Sequence, residues 1–298
     1  MENQLSDDQI NKLLRGFSIP SQPQTLVDLQ IAQAQNPPDL HEISRLIRKD
    51  IYISGSVLKV ANSPFYGLRN PVSTIEHAIM MIGTQGVINI VNAVTLRQEL
   101  VSRKQLSDDE RDFLTRFWDS AEDTARVAAA ISREIDLGQA DELYLLGLFH
   151  NAGIPLMIER FPNYRQILAQ SYELADGTVT ETENKHFETN HAVLGYYLTR
   201  SWKMPKLISD TIGQHHNLQL LMSDELHRGS PMLNMLAILK IAEHIVGLYA
   251  VLGGHGLDQE WLALKEPLMA YLNLSDEDYD DLVHLCRELG IVDQVRAA

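Results

Sequence analysis

The chain has 298 residues, 45% hydrophobic and 22% charged, the make-up of a globular protein with one large or two modest cores. A formal net charge of −15 excludes an extended phosphate-binding face, so neither nucleic acid nor an anionic membrane is expected as a partner. The single cysteine, Cys286, excludes an internal disulfide and a cysteine zinc cage; no secretory pattern opens the chain and no apolar run reaches membrane-spanning length, so a cytoplasmic location is expected.

Residues 6–16 predict a short helix, with Ser6 as N-cap, acids in the first turn and Gly16 as its stop. A proline-rich strap, FSIPSQPQ, leads to a helix from Thr25 that Pro37-Pro38 ends. Asp39 can cap a helix on which Leu40, Ile43, Leu46 and Ile47 recur at helical spacing, and Ile51 to Asn62 forms the next, stopped by Pro64. Ser73 and Glu76 read as a capping box opening STIEHAIMMIG; Gly83 breaks that helix, and Val87, Ile90, Val91 and Val94 mark its successor. The polar run SRKQLSDDE at 102–110 is the best boundary, dividing 1–105 from 106–298. Beyond it, a helix from Arg111 to Ile135 carries Phe113, Phe117, Ala121, Thr124, Ala128 and Ile131 on one face. Further helices are predicted over 162–175, 189–203, 205–216, 231–252, 258–273 and 275–290. Strand-length alternation is almost absent, so the fold class is all-α.

The stretch from Leu143 to Pro155, LYLLGLFHNAGIP, is apolar on every side and predicts a buried helix that delivers His150 and Asn151 to its C-terminal end. A buried polar pair needs partners, so other parts of the chain must satisfy it.

Two blocks carry a family resemblance. The first holds IPSQPQTLVDL, ISRLIRKDIYISGSVLKVANSPFYGL and STIEHAIMMIG; the second holds LYLLGLFHNAGIPLM and HAVLGYYLTRSWKMPKLISDTIGQHHN. In this order they resemble the HDOD family, the HD-related output domains of bacterial signalling proteins and a degenerate branch of the HD phosphohydrolase superfamily. The Asn-Ser-x-x-Tyr-Gly element at Asn62, Ser63, Tyr66 and Gly67 is the most distinctive mark. The resemblance covers about residues 17–250 as one continuous unit. It implies a multi-helical HD-like bundle with an N-terminal helical subdomain, a role in signal transduction, and loss of the parent hydrolase activity.

The resemblance also supplies a candidate site. His150 matches the superfamily's central His, but Asn151 replaces its metal-bridging Asp, and Ile154 stands where many active enzymes carry Lys. No His occurs near Trp118, where an upstream ligand belongs. Asp119 shares a polar face with Arg116, Glu122 and Arg126, while Ser120 lies on the apolar face and is a poor ligand. His191 is in phase with Leu194, Leu198 and Trp202 and points inward; His215 and His216 follow Ile208 and Ile212, so at least one faces the core. These resemble the extra histidines of the cyclic-dinucleotide-hydrolysing branch. Glu243 takes the place of the late Asp, but one turn after Lys240 it reads as half of a surface ion pair. His41, His77, His227, His255 and His284 show no ligand spacing and are assigned to surface or turns.

Asn62 ends an apolar helix before Pro64, so the element at 62–67 reads first as a device that turns the chain, with an outward recognition surface as the rival reading. Two functions follow. The leading one is a non-catalytic regulatory module that binds a signalling protein partner or a small regulatory ligand, with no catalytic residue and no cofactor expected. The alternative is a metal-dependent phosphohydrolase acting on a nucleotide or cyclic dinucleotide, with a divalent metal on His150, His191, His215, His216 and Glu243.

Overall fold

A computed structural model describes residues 14, 16–63, 66, 71–101, 107–174, 177–254 and 256–292; among them every regular element is a helix and no strand occurs. The helix expected over 6–16, apart from positions 14 and 16, lies outside the described residues, as do Gly67, His255 and most of the 102–110 boundary.

The first four helices are α1 (Gln24–Gln33), α2 (Leu40–Arg48), α3 (Ile51–Ala61) and α4 (Ile75–Val101). Asp39 caps α2 by accepting from the Glu42 amide, and Asp50 caps α3 by accepting from Tyr52 and Ile53. Asn62 then clamps the following turn: its Nδ2–H donates to the Val72 carbonyl at 2.7 Å, and its Oδ1 accepts from the Val72 amide at 2.6 Å. Tyr66 is half-buried beneath the Arg133 guanidinium, 5.5 Å from its ring, and burial pushes its hydroxyl up to about 12.

The expected Ser73–Glu76 capping box does not form. Thr74 is the cap, accepting from the His77 amide at 3.2 Å, while the Glu76 carboxylate is drawn to Ser44 at 2.5 Å and Arg48 at 2.7 Å across the α2 packing. Gly83 bends α4 through a left-handed φ of 76° that other residues rarely adopt, but helix resumes at once. By length and composition α4 could cross a membrane, contrary to the sequence expectation, yet 61% of its most apolar stretch is already buried in this fold.

The centre of the remaining fold is α5 (Asp108–Glu134), flanked by α6 (Ala140–Phe149). It begins earlier than predicted because Ser107 and Glu110 form a capping box. The six residues predicted on its inner face are buried where the structure ranks them as core or buried polar. Phe117 alone, 1% exposed, stabilises the fold by about 2–3 kcal/mol through burial. Helices α5 and α6 approach so closely that a Cβ on Gly147 would sit 2.5 Å from the Ala125 Cα.

Then follow α7 (Ile154–Arg160), α8 (Tyr164–Glu173), α9 (Val179–Phe187), α10 (His191–Ser201), α11 (Lys206–Gln214), α12 (Leu218–Ser223), α13 (Pro231–Val246), α14 (Leu248–Gly253), α15 (Gln259–Leu272) and α16 (Asp276–Glu288). Helices α7, α9 and α12 have no counterpart in the sequence reading. The expected 231–252 helix breaks at Gly247, φ 73°, so that α13 and α14 both pack on α5. Trp202, fully buried, donates its indole N–H to the Pro20 carbonyl at 2.7 Å and holds the proline-rich strap against the end of α10.

The Asn62 clamp carries a prediction. Asn62→Ala leaves the Val72 amide and carbonyl without their partner and should lower stability by about 1–3 kcal/mol, read as a drop in thermal and urea midpoints. An unchanged midpoint would assign Asn62 to recognition instead of folding.

Candidate functional site

Three helix ends meet at one buried point. Helix α6 stops at Phe149, and His150 to Gly153 form a turn before α7. That turn presses on the start of α10: a Cβ on Gly153 would lie 2.0 Å from the His191 carbonyl oxygen. Gly195, one turn along α10, leaves room for Ile212 of α11, whose side chain would be 2.9 Å from a Cβ there. Asn190 caps α10 by accepting from Val193, which fixes His191 as its first residue. His215 and His216 follow directly after α11.

The candidate residues converge. His150, Asn151, His191, His215 and His216 are each 4% exposed or less. His150 Nδ1–H donates to the Gly147 carbonyl at 2.8 Å, His191 Nδ1–H to the Glu183 carboxylate at 2.8 Å, and His215 Nδ1–H to the Ile212 carbonyl at 2.7 Å. His216 Nδ1 faces Glu260 at 3.5 Å. With the Nδ1 sides of His150, His191 and His215 engaged, the Nε2 atoms turn inward; His216 Nδ1 is buried and makes no hydrogen bond. His191 Nε2 lies 3.2 Å from both His215 Nε2 and His216 Nε2, and the ligand atoms of the three rings fall within 4.8 Å of one another. Nitrogens bound tetrahedrally to one ion at about 2.0–2.1 Å stand about 3.3 Å apart, so the three rings suit a metal.

Asn151 sits at the edge of this triangle. Its amide N–H donates to His150 Nε2 at 2.7 Å, and its Oδ1 lies 3.3 Å from His215 Nε2. His150 Nε2 is also 3.1 Å from Glu243 Oε1, a contact that a shared proton or cation makes attractive.

Glu243 and Lys240 do not form the surface pair expected from the sequence. They are 8% and 3% exposed, and the Lys240 ammonium bridges the Glu243 carboxylate and Glu260, the latter at 2.8 Å. Burial opposes charge on all three, but mutual attraction outweighs it: Lys240 is raised, and Glu243 and Glu260 are held below the usual carboxylate range. Burial likewise opposes Glu183, yet the His191 ring and amide and the Tyr164 hydroxyl lower it. Burial, then the neighbouring histidines, hold His215 well below the ordinary imidazole value of 6.5; burial lowers His216 against the pull of Glu260.

Other sequence candidates fall elsewhere. Asn62, Ser63 and Tyr66 belong to the α3–α4 junction. Asp119 is exposed and meets Arg97 at 3.5 Å, whereas Ser120 is buried and donates its hydroxyl to the Arg116 carbonyl at 2.9 Å. His41 and His284 are exposed, His77 and His227 partly so. Sequence reasoning missed Glu183, Glu260 and the burial of Lys240. The Thr178–Glu181 capping box, a Thr-x-x-Glu pattern, would have located α9 and hence Glu183; nothing local marks Glu260.

The sequence profile of the HDOD domain matches residues 19–218. A protein of Treponema pallidum (strain Nichols) is 27% identical over 201 residues, which are 67% of this chain and 38% of that protein, so the chain spans about two fifths of its relative's length. Among solved structures, a candidate metal-dependent phosphohydrolase of Shewanella amazonensis SB2B superposes with a TM-score of 0.67 at 18% identity, covering 94% of this chain and 95% of that one. An HDOD domain protein of Geobacter sulfurreducens with unknown function gives 0.59 at 18% identity, over 94% and 96%. A candidate signal transduction protein of Marinobacter aquaeolei VT8 gives 0.62 at 19% identity, over 96% of this chain and 65% of that one. At these identities the likeness is one of fold.

The lowered imidazoles predict a pH response in chelator-treated protein. The unfolded chain takes up protons at His215 and His216 near 6.5, while the folded chain resists until lower pH. Their contribution to stability is therefore full above 6.5 and declines as pH falls through it, by up to about 1.4 kcal/mol per pH unit for each histidine. Urea unfolding between pH 7.5 and 5.5 should show the decline, and His215→Gln should flatten it; a flat wild-type profile would contradict the buried neutral rings.

Proposed function

We propose that this chain, which belongs to the HDOD domain family, is a non-catalytic signal-transduction module that binds a protein partner or a small regulatory ligand, and that its histidine centre holds helix ends together instead of turning over a substrate. The observation that carries this reading is a cleft of about 380 Å³ that reaches the centre at His216 and Glu260. Glu181 also lines it, and no Lys or Arg stands among its described lining residues. A phosphate ester arriving there meets two carboxylates, and the ammonium next to them, Lys240, is already shared between Glu260 and Glu243. Asn151 supports the same reading: a carboxamide replaces the carboxylate that would bridge metals, and its N–H occupies the lone pair that His150 would offer one.

The donor set nevertheless fits one divalent cation. His191, His215 and His216 would hold it, with Asn151 Oδ1 close by. Glu183, Glu243 and Glu260 against Lys240 leave two negative charges, at least one of them buried, for such an ion to balance. Bound, it supplies positive charge and a cross-link between α10 and the end of α11, as structural metal sites do. Glu183 orients His191 from behind, in the manner of carboxylate–histidine pairs around metals.

The three converging histidines also favour the second reading, a metal-dependent phosphohydrolase in which His150 and Glu243 join the ligands. Hydrolysis of nucleotides and cyclic dinucleotides, assayed with manganese, iron or zinc, separates the two. The expected result is no turnover above the His150→Ala control, while added metal raises the melting temperature of the wild type but not of His191→Ala. Turnover that His150→Ala abolishes would establish the hydrolase instead.

A further inference from the structure

A second cavity lies between the amino-terminal helices and α5, away from the histidine centre. The cavity, about 110 Å³, has Val60, Ile90, Val94, Leu148 and Phe149 among its walls, with Ser56, Lys59, Glu122 and Tyr144 as polar lining. Trp118 lines it too. That residue is 3% exposed, and its indole N–H finds no hydrogen-bond acceptor. A buried donor without a partner is rare in a packed interior and marks a place where an acceptor belongs.

The chamber continues outward. Tyr52, Arg97 and Trp118 line both it and a surface groove of about 640 Å³, to which Arg111 is added. In a chain of net charge −15 this cleft gathers Lys59, Arg97 and Arg111. Of the acids beside them, Glu122 is matched by Arg126 at 2.7 Å and lies 3.9 Å from Lys59, Asp108 lies 3.8 Å from Arg111, Glu99 lines the outer groove, and Asp119 meets Arg97 only at 3.5 Å from an exposed position. An exposed pair at that distance is weak and yields readily to a better anion.

We propose that this cleft binds a small aromatic anion, its ring in the apolar chamber and its anionic group on the Trp118 indole N–H and Arg97. The cavity sets an upper size: a closed cavity of about 150 Å³ takes benzene, so one of about 110 Å³ admits no more than a single ring, whose outer edge and polar substituent sit in the mouth. An aliphatic or neutral apolar molecule would leave the indole N–H orphaned, and a small anion without a ring would leave the apolar walls unfilled. The site goes beyond the regulatory reading and does not depend on the histidine centre, although Phe149 on its wall directly precedes His150.

The test uses the full chain and benzoate as the probe, with toluene and acetate as controls. The protein has three tryptophans, and the Trp118 indole signal in a proton–nitrogen spectrum is identified by its loss in Trp118→Phe. Trp202, bonded to Pro20, serves as the internal reference. Benzoate is expected to shift the Trp118 signal saturably and leave Trp202 in place, with toluene and acetate at least about tenfold weaker. Arg97→Gln should weaken benzoate about tenfold, as should Trp118→Phe when read by calorimetry; each keeps most of the side-chain volume it replaces. No saturable shift with millimolar benzoate, or equal affinity in both variants and the wild type, would overturn the proposal.

Discussion

Lys240 is a buried ammonium between two carboxylates, and the carboxyl-terminal part of the bundle is arranged around that fact. An uncompensated charge in an apolar interior costs several kcal/mol, so Lys240 requires Glu243 and Glu260. Those acids then require more than one ammonium. Glu243 reaches His150, Glu260 reaches His216, and the rings pass the network through His191 to Glu183 and Tyr164. The result is one connected set of polar groups, buried except for the partly exposed Glu260, contributed by α8, α9, α10, α13 and α15 and by the turns after α6 and α11. Breaking any member leaves its neighbours as buried, unpaired groups, which is why such networks specify one arrangement of helices more strongly than apolar packing does.

Close backbone approach makes the convergence geometrically feasible. Gly147 brings α6 onto α5, Gly153 brings the turn after α6 onto the first residue of α10, and Gly195 brings α10 onto α11. Each position would place a Cβ at 2.9 Å or less from a neighbouring atom. Without those approaches the rings could not stand at 3.2 Å spacing. The glycines thus belong to the polar centre as much as the histidines do, because side-chain geometry here is inherited from how near the helices lie.

Where the resemblance implies a carboxylate, Asn151 offers a carboxamide of nearly the same shape and no charge. Its amide sits between the rings of His150 and His215, donating its N–H to His150 Nε2 and placing its Oδ1 3.3 Å from His215 Nε2, without adding a fourth negative charge to the centre. The only basic cleft described above lies elsewhere, between α3, α4 and α5.

How much of this was legible beforehand depended on range. The apolar spacing along 111–135 and the unbroken apolar run before His150 determined all-helical structure and placed His150 and Asn151 at a buried helix end, because burial of a helical face is a local, periodic property. The resemblance supplied the remaining histidines. Glycine and proline signals located most breaks, but the Ser73–Glu76 pattern misled, since Glu76 has better partners in Ser44 and Arg48 on another helix. Lys240 and Glu243 looked like a surface pair for the same reason: spacing of one turn says which groups are near each other, not what covers them. Glu260 and the orphaned indole of Trp118 have no local signature at all. Whether a charged or polar side chain is exposed, paired or stranded is decided by helices distant in sequence, and only the tertiary structure brings those together.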